Sequence, residues 1–211
     1  MRKNVVSRFY EEVAKSGRSM RWTSHEMLNF DVSVIQEAMA LKPGFSWIDI
    51  GCGTGEVQNE ISGKYRFCLG VDPEIGFKEK FLASASNYFL PGSVGEIKVS
   101  GEFDLASAFG VVTHLTEEEE LDLYMALRSL SINGVTIVKH QCSLSEEMYF
   151  DGYSENLKAD YSSRYPSLTS QINTLESLFD EVRVIEYPSA LNKNDGCGFF
   201  AFVCKNETLT D

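Results

Sequence analysis

The residues best suited to chemistry lie in one short run, Trp47-Ile48-Asp49-Ile50-Gly51-Cys52-Gly53-Thr54-Gly55-Glu56-Val57. An apolar strand there gives way to three glycines at alternate positions and then to a helix. Glycine lets the backbone turn sharply and approach a ligand with no Cβ in the way. In an open α/β sheet this first strand–helix turn lies at the carboxyl edge, where ligands bind. A dinucleotide fingerprint has its glycines at relative positions one, three and six. Here they stand at one, three and five, and the sixth position is Glu56. A carboxylate at that helix start repels a pyrophosphate and competes for the amides that would hold it. No Gly-Lys-Ser/Thr follows, which excludes a phosphate-clamping loop as well. The loop therefore suits a ligand with no phosphate at this point, and Asp49 suits a cationic or zwitterionic group on it.

A second carboxylate, Asp72, ends the strand Phe67-Cys68-Leu69-Gly70-Val71-Asp72, 21 positions after Gly51. That is the place for an acidic residue accepting both hydroxyls of a ribose. A ribose with a positively charged, phosphate-free extension describes S-adenosylmethionine. Asp49-Ile50-Gly51-Cys52-Gly53-Thr54-Gly55 and Val71-Asp72 resemble the first two motifs of the class I, Rossmann-like S-adenosylmethionine-dependent methyltransferases. Glu102-Phe103-Asp104-Leu105 and Val111-Val112-Thr113-His114-Leu115 are similar to the family's fourth-strand region and the loop after it. The motif match covers residues 42–140, and residues 169–205 follow the family in topology alone. The resemblance implies a cofactor site built from Asp49, Gly51, Cys52, Gly53, Thr54, Gly55, Asp72, Pro73, Ser93, Val94 and Phe109. Many relatives carry an acidic residue after the third strand; Pro91-Gly92-Ser93-Val94 has Ser93 in its place.

The cofactor motifs leave the acceptor open. Methyl transfer from a sulfonium is an in-line displacement that requires the nucleophile to be held about 3 Å from the methyl group and water to be excluded. An oxygen nucleophile usually needs a base as well, and a neutral amine does not. His140, ending the fifth strand in Lys139-His140-Gln141, and His114, after the fourth, are the candidate bases, with a structural hydrogen bond as the alternative for each. Residues 141–168 form a long insertion holding Tyr149, Phe150, Tyr153, Tyr161 and Tyr165, the composition either of a substrate lid or of an exposed helical embellishment whose tyrosines pack on the body. Tyr149 and Tyr153 are expected to wall the acceptor. Tyr10, Arg18, Arg21 and Trp22 resemble the lid that many relatives fold over the cofactor. The two arginines there suit a carboxylate or phosphate on the acceptor.

The elements that must position these groups are legible from periodicity. Residues 1–41 read as helical, with Gly17 interrupting and Lys42-Pro43-Gly44 stopping the pattern. Short apolar runs at 46–50, 67–71, 88–90, 105–109 and 135–138 then alternate with helical segments. One of these helices opens on a capping box, Thr116 with Glu119. Such alternation predicts right-handed crossovers and a mainly parallel sheet covered on both faces. After a helix around 172–179, strands at 182–187 and 198–204 follow one another without a helix between them, which predicts an antiparallel hairpin at the sheet edge. The expected fold is α/β: a doubly wound, mainly parallel seven-stranded sheet with a C-terminal antiparallel hairpin and an N-terminal helical lid. One domain, 1–211, would comprise a lid (1–41), a cofactor-binding core (42–140), a substrate-lid insertion (141–168) and a C-terminal helix and hairpin (169–211).

Composition bounds the rest. The 211 residues are 43 % hydrophobic and 24 % charged, the make-up of one globular domain. The longest apolar runs fall far short of the ~20 residues a membrane span requires, and no secretory leader is evident, so a cytoplasmic location is expected. Five cysteines without a CxxC pair, and three scattered histidines, predict neither a disulfide framework nor a metal site. The net charge of −12 disfavours nucleic acid, since phosphate neutralisation supplies most of such affinity. Residues 1–21 nevertheless carry a local excess of positive charge, suited to an anionic small molecule or to docking on the acidic body. The expected activity is S-adenosylmethionine-dependent methylation of a small polar metabolite, with O-methylation of a sugar or other anionic hydroxylated compound leading. The alternatives are N-methylation of a small amine and a catalytically silent cofactor-binding subunit. A monomer or homodimer is expected, with a small-molecule acceptor and neither nucleic acid nor membrane as partner.

Overall fold

Strands covered by helices on both faces have no solvent side, so they read as continuous apolar runs. That is the state of β1 (Phe45–Ile50), in which all six residues are buried. The structure, a computed structural model, describes residues 3–16, 24–82, 84–96, 99, 101–155, 157–192 and 195–206. These form α1 (Lys3–Ser16), α2 (His25–Ala38), β1, α3 (Glu56–Glu60), β2 (Tyr65–Asp72), α4 (Lys78–Phe81), β3 (Asn87–Pro91) and β4 (Leu105–Phe109). There follow α5 (Glu117–Leu130), β5 (Val135–Ser143), β6 (Met148–Ser154), β7 (Ala159–Tyr165), α6 (Leu168–Leu178), β8 (Glu181–Glu186) and β9 (Cys197–Lys205).

Seven strands make one sheet in the order β3-β2-β1-β4-β5-β9-β8, and β6 pairs with β7 in a separate two-stranded sheet. The first five are parallel, and β9 runs antiparallel to both β5 and β8. The last strand thus inserts beside β5, and β8 forms the outer edge. Apolar side chains fill two cores, one on each face of the sheet. Leu123, Tyr124 and Leu127 of α5 and Leu175 of α6 pack on Val138 and Phe202. Met27, Val34 and Ile35 of α2 pack on Trp47, Ile137 and Tyr187. The α5 capping box forms as the sequence predicts: Thr116 Oγ1 accepts from the Glu119 amide at 3.3 Å, and Glu119 Oε2 accepts from the Thr116 amide at 3.0 Å.

Two boundaries differ from the sequence reading. β5 continues past its apolar run to Ser143, with all nine residues buried, because β9 pairs with it along its whole length. The insertion after it is a β-hairpin, β6–β7, whose strands carry Tyr149, Phe150, Tyr153, Tyr161 and Tyr165, rather than an irregular loop. An isolated hairpin is marginal in water, and this one is tied to the helical layer by charge. Arg164 of β7 is buried and donates from Nη1 to Glu120 Oε2 at 2.5 Å and from Nε to Glu147 Oε2 at 2.9 Å. Glu120 Oε1 also accepts from the Gln171 amide, whose Oε1 accepts from the Tyr124 hydroxyl at 2.5 Å.

All five cysteines are buried and unpaired. Among the described residues no helix is long and apolar enough to cross a membrane, and no group of three or more His, Cys, Asp or Glu is placed to hold a metal ion. The buried Arg164–Glu120 pair makes a prediction. Arg164→Met strands the Glu120 carboxylate without its cation and should cost about 3–5 kcal/mol of stability. Urea unfolding followed by circular dichroism measures it, and a loss below about 1 kcal/mol would show that the pair does not anchor the hairpin.

Candidate active site

β1 ends at Ile50 and the chain turns back at once, an approach only glycine makes cheaply. Gly51, Gly53 and Gly55 have φ of +75°, +52° and +72°, in the left-handed region. A Cβ on Gly51 would lie 2.2 Å from Val111 Cγ2, so the loop after β4 presses directly on this turn. The Gly51 and Cys52 amides donate to the Val71 carbonyl, at 2.7 and 3.2 Å, which ties the loop to the end of β2. Asp72 then closes the turn: its Oδ2 accepts from the Gly53 amide at 2.9 Å and its Oδ1 from the Glu74 amide at 2.8 Å. Burial pushes the Asp72 carboxyl up to about 6, and those two amide bonds oppose the rise.

Asp49 is more deeply set. Gln58 Nε2 donates to its Oδ2 at 2.6 Å and Ser107 Oγ to its Oδ1 at 2.5 Å, while the Ser107 oxygen accepts from the Trp47 indole at 2.7 Å. Burial carries its carboxyl up to about 7, with the Asp72 and Asp31 charges adding to the rise. The Cys52 thiol is likewise pushed well up by burial and is no nucleophile at neutral pH.

The loop faces a cavity of about 810 Å³. Its floor is the carboxyl ends of β1, β4 and β5, bringing together Asp49, Gly51, Cys52, Gly53, Thr54, Gly55 and Phe109 with His114 and His140. Tyr10 of α1 and Tyr149 and Tyr153 of the hairpin also line it. Tyr149 and Tyr153 stay largely exposed, so they stand at the mouth. Asp72 ends β2, Pro73 follows it, and Ser93 follows β3; among the described residues that line the cavity these three do not occur, and the Val94 side chain lies outside the described residues. The Ser93 hydroxyl is exposed and donates to Glu96 Oε2 at 2.9 Å. Arg18, Arg21 and Trp22 lie outside the described residues. Asp104, part of the family-like fourth-strand region, sits at the opposite edge of the sheet, accepting from the Ser46 amide at 2.8 Å and pairing with Lys42 at 3.1 Å.

The two histidines have different surroundings. His114 ends the short turn after β4, and its Nε2 meets the Tyr10 hydroxyl at 2.7 Å and the Tyr161 hydroxyl at 3.2 Å. Burial lowers the imidazole to about 4, so it is neutral at physiological pH. Helix α1 is clasped here: Phe9 packs edge-on against Tyr161, Tyr10 against Phe77, and Lys3 pairs with Glu119. Burial, together with the nearby Asp72 charge, holds the Tyr10 phenol far above its usual range, so it stays protonated. His140 is wholly buried, stacked on Phe202 with ring centroids 5.4 Å apart, and neither ring nitrogen has a hydrogen-bond partner. Burial takes its imidazole down to about 3, and the Arg164 and Lys139 charges add to the fall.

Sequence reasoning missed the polar group on the α2 side of the cavity. Lys139 Nζ lies 3.5 Å from Asp31 Oδ1, which also accepts from the Tyr187 hydroxyl at 2.7 Å. The signal was present: Asp31 stands four residues after Met27 and three before Val34, on the helix's buried stripe. Lys139 likewise extends an apolar strand inward.

No family model and no curated protein matches this sequence. Solved structures do match in fold. A DhpI complex with S-adenosylhomocysteine superposes with a TM-score of 0.69 at 11 % identity, covering 97 % of this chain and 96 % of that one. The Burkholderia thailandensis 1,6-didemethyltoxoflavin N1-methyltransferase, bound to 1,6-didemethyltoxoflavin and S-adenosylhomocysteine, gives 0.68 at 17 %, covering 97 % and 90 %. The N-terminal domain of EvdMO1, solved in the presence of S-adenosylhomocysteine and D-fucose, gives 0.66 at 14 %, covering 95 % and 97 %. The chain has the fold of the class I methyltransferases.

The clasp on α1 is testable. Tyr10→Phe removes one hydrogen bond of about 0.5–1.5 kcal/mol. Amide hydrogen exchange across α1 should quicken by up to about tenfold while α5 is unchanged. Equal protection in both proteins would mean that packing alone holds the lid.

Proposed function

We propose that this protein is an S-adenosylmethionine-dependent methyltransferase acting on a small polar molecule. One observation carries the reading: three left-handed glycines, cinched by Asp72 through the Gly53 amide, face a cavity at the carboxyl edge of a class I sheet. The residues fit this cofactor. The loop carries no cation for a phosphate, Glu56 opens the following helix, and Asp49 and Asp72 offer carboxylates to an amine and a ribose. The cofactor supplies a methyl group on a sulfonium.

The chain's own residues hold the loop, close α1 over the cavity through Tyr10 and His114, and exclude water with the β6–β7 hairpin. O-methylation of a hydroxylated acceptor is the leading reaction. With the methyl group supplied by the bound cofactor, the acceptor's hydroxyl proton would pass to a neutral imidazole of this chain. We assign that role to His140, whose ring is held neutral by burial, over His114, whose Nε2 is already engaged by two phenols. The D-fucose and 1,6-didemethyltoxoflavin in the neighbouring structures support a small polar acceptor. A second reading, N-methylation of a small amine, is favoured by the carboxylates Glu56, Glu155 and Asp195 around the cavity.

Calorimetric titration tests the cofactor: S-adenosylhomocysteine should bind with a Kd on the order of 1 μM while NAD does not. Binding of NAD alone, or of neither, would reject the reading. Asp72→Ala should weaken S-adenosylhomocysteine by about 1.5–3 kcal/mol, and an unchanged affinity in the folded variant would remove Asp72 from the site. With an acceptor in hand, His140→Phe, which keeps the stack on Phe202, should cut turnover about 100-fold and spare cofactor binding. Since a base works unprotonated, wild-type kcat attributable to His140 should fall only as pH drops toward about 3, far below the usual histidine limb. A limb near pH 6.5 would assign the base elsewhere.

A further inference from the structure

Lys139 and Gln141 lie two residues apart on β5 and so project from the same face. Their register partners on that face are Phe109 across from Lys139 and Phe199 across from Gln141, and all four residues line the cavity. The Lys139 ammonium has three N–H donors. Asp31 takes one of them at 3.5 Å, and the charge otherwise lies against ring faces, 5.0 Å from the centroid of Phe199 and 5.5 Å from that of Tyr187. Gln141 is only 7 % exposed, and its Nε2 has no hydrogen-bond partner. A buried donor left unmade costs about 1–3 kcal/mol, so an orphan on a residue that lines a cavity calls for a specific explanation.

An ammonium and an amide nitrogen only donate, and an ionised carboxylate only accepts, through two oxygens. A neutral hydroxyl carries no charge to set against the Lys139 ammonium, whereas a carboxylate does and makes the stronger, charge-assisted hydrogen bond. Asp31 is satisfied by Tyr187 as well as by Lys139, which leaves ammonium hydrogens for a second oxygen. Glu155 and Asp195 at the rim are exposed and screened by solvent. We infer that Lys139 and Gln141 form a subsite for a carboxylate carried on a flat ring, the ring lying against Phe109 and Phe199. The subsite would set which acceptors the enzyme takes. This rests on the methyl-transfer reading of the same cavity.

The test is a ligand-observed NMR titration with benzoate and its neutral isostere benzamide, each with and without S-adenosylhomocysteine. Wild type should bind benzoate at least about tenfold more tightly than benzamide, the scale of one charge-assisted hydrogen bond. Gln141→Leu removes the orphaned donor without stranding a charge, and should weaken benzoate about five- to tenfold while leaving benzamide within about twofold. Lys139→Met should abolish the preference. Because that variant leaves Asp31 unpaired, Gln141→Leu decides the matter if Lys139→Met does not fold. Equal affinity for the two probes in wild type, or a preference untouched by Gln141→Leu, overturns the subsite. The comparison reads without cofactor, so a retained benzoate preference in a protein that fails to bind S-adenosylhomocysteine overturns the methyl-transfer reading and upholds the subsite.

Discussion

Asp49 and Asp72 end adjacent parallel strands with their carboxylates largely removed from water, and the surrounding elements are arranged to feed them hydrogen bonds. A carboxylate in such a place is held either by donors or by taking up a proton. Here both occur: burial raises the two carboxyls to about 7 and about 6, while Ser107, Gln58 and the amides of Gly53 and Glu74 oppose the rise. The demand for donors explains the loop. Only a backbone turned through left-handed glycines brings the Gly53 amide to Asp72, and only a glycine at position 51 leaves room for Val111.

The same constraint extends along β5. Pairing with β9 through Ser143 draws Lys139, His140 and Gln141 into the interior, so three polar residues follow directly on an apolar strand. Lys139 finds Asp31 from α2 and two ring faces. His140 goes neutral and stacks on Phe202. Gln141 keeps an unmatched donor. Structures that leave polar groups buried and only partly satisfied do so at a cost in stability, and such groups concentrate where a ligand completes them.

Two elements that line the cavity, helix α1 and the β6–β7 hairpin, also pack on each other through Phe9 and Tyr161. Helix α1 is held by the Tyr10–His114–Tyr161 contact and by Lys3 at the capped start of α5. The hairpin is held through Arg164, which links it to Glu120 of α5 and, through Gln171, to α6. Helix α5 thus anchors both, and its acidic first turn supplies the carboxylates for each.

The glycine spacing, Glu56 and the two aspartates near the strand ends mark in the sequence the turn that the structure sets at the carboxyl edge facing the cavity, because such a turn depends on local backbone freedom. Alternating apolar runs likewise gave the parallel sheet, and Thr116 with Glu119 gave the start of α5. What local pattern does not encode is pairing at a distance. The length of β5, the hairpin in place of a loop, and the meeting of Asp31 with Lys139 arise from contacts between residues as much as 108 positions apart in the chain. Of the two candidate histidines, the sequence supplied the names; tertiary packing engaged His114 with two phenols and buried His140 against Phe202, because burial and partners belong to the folded chain and not to the residue.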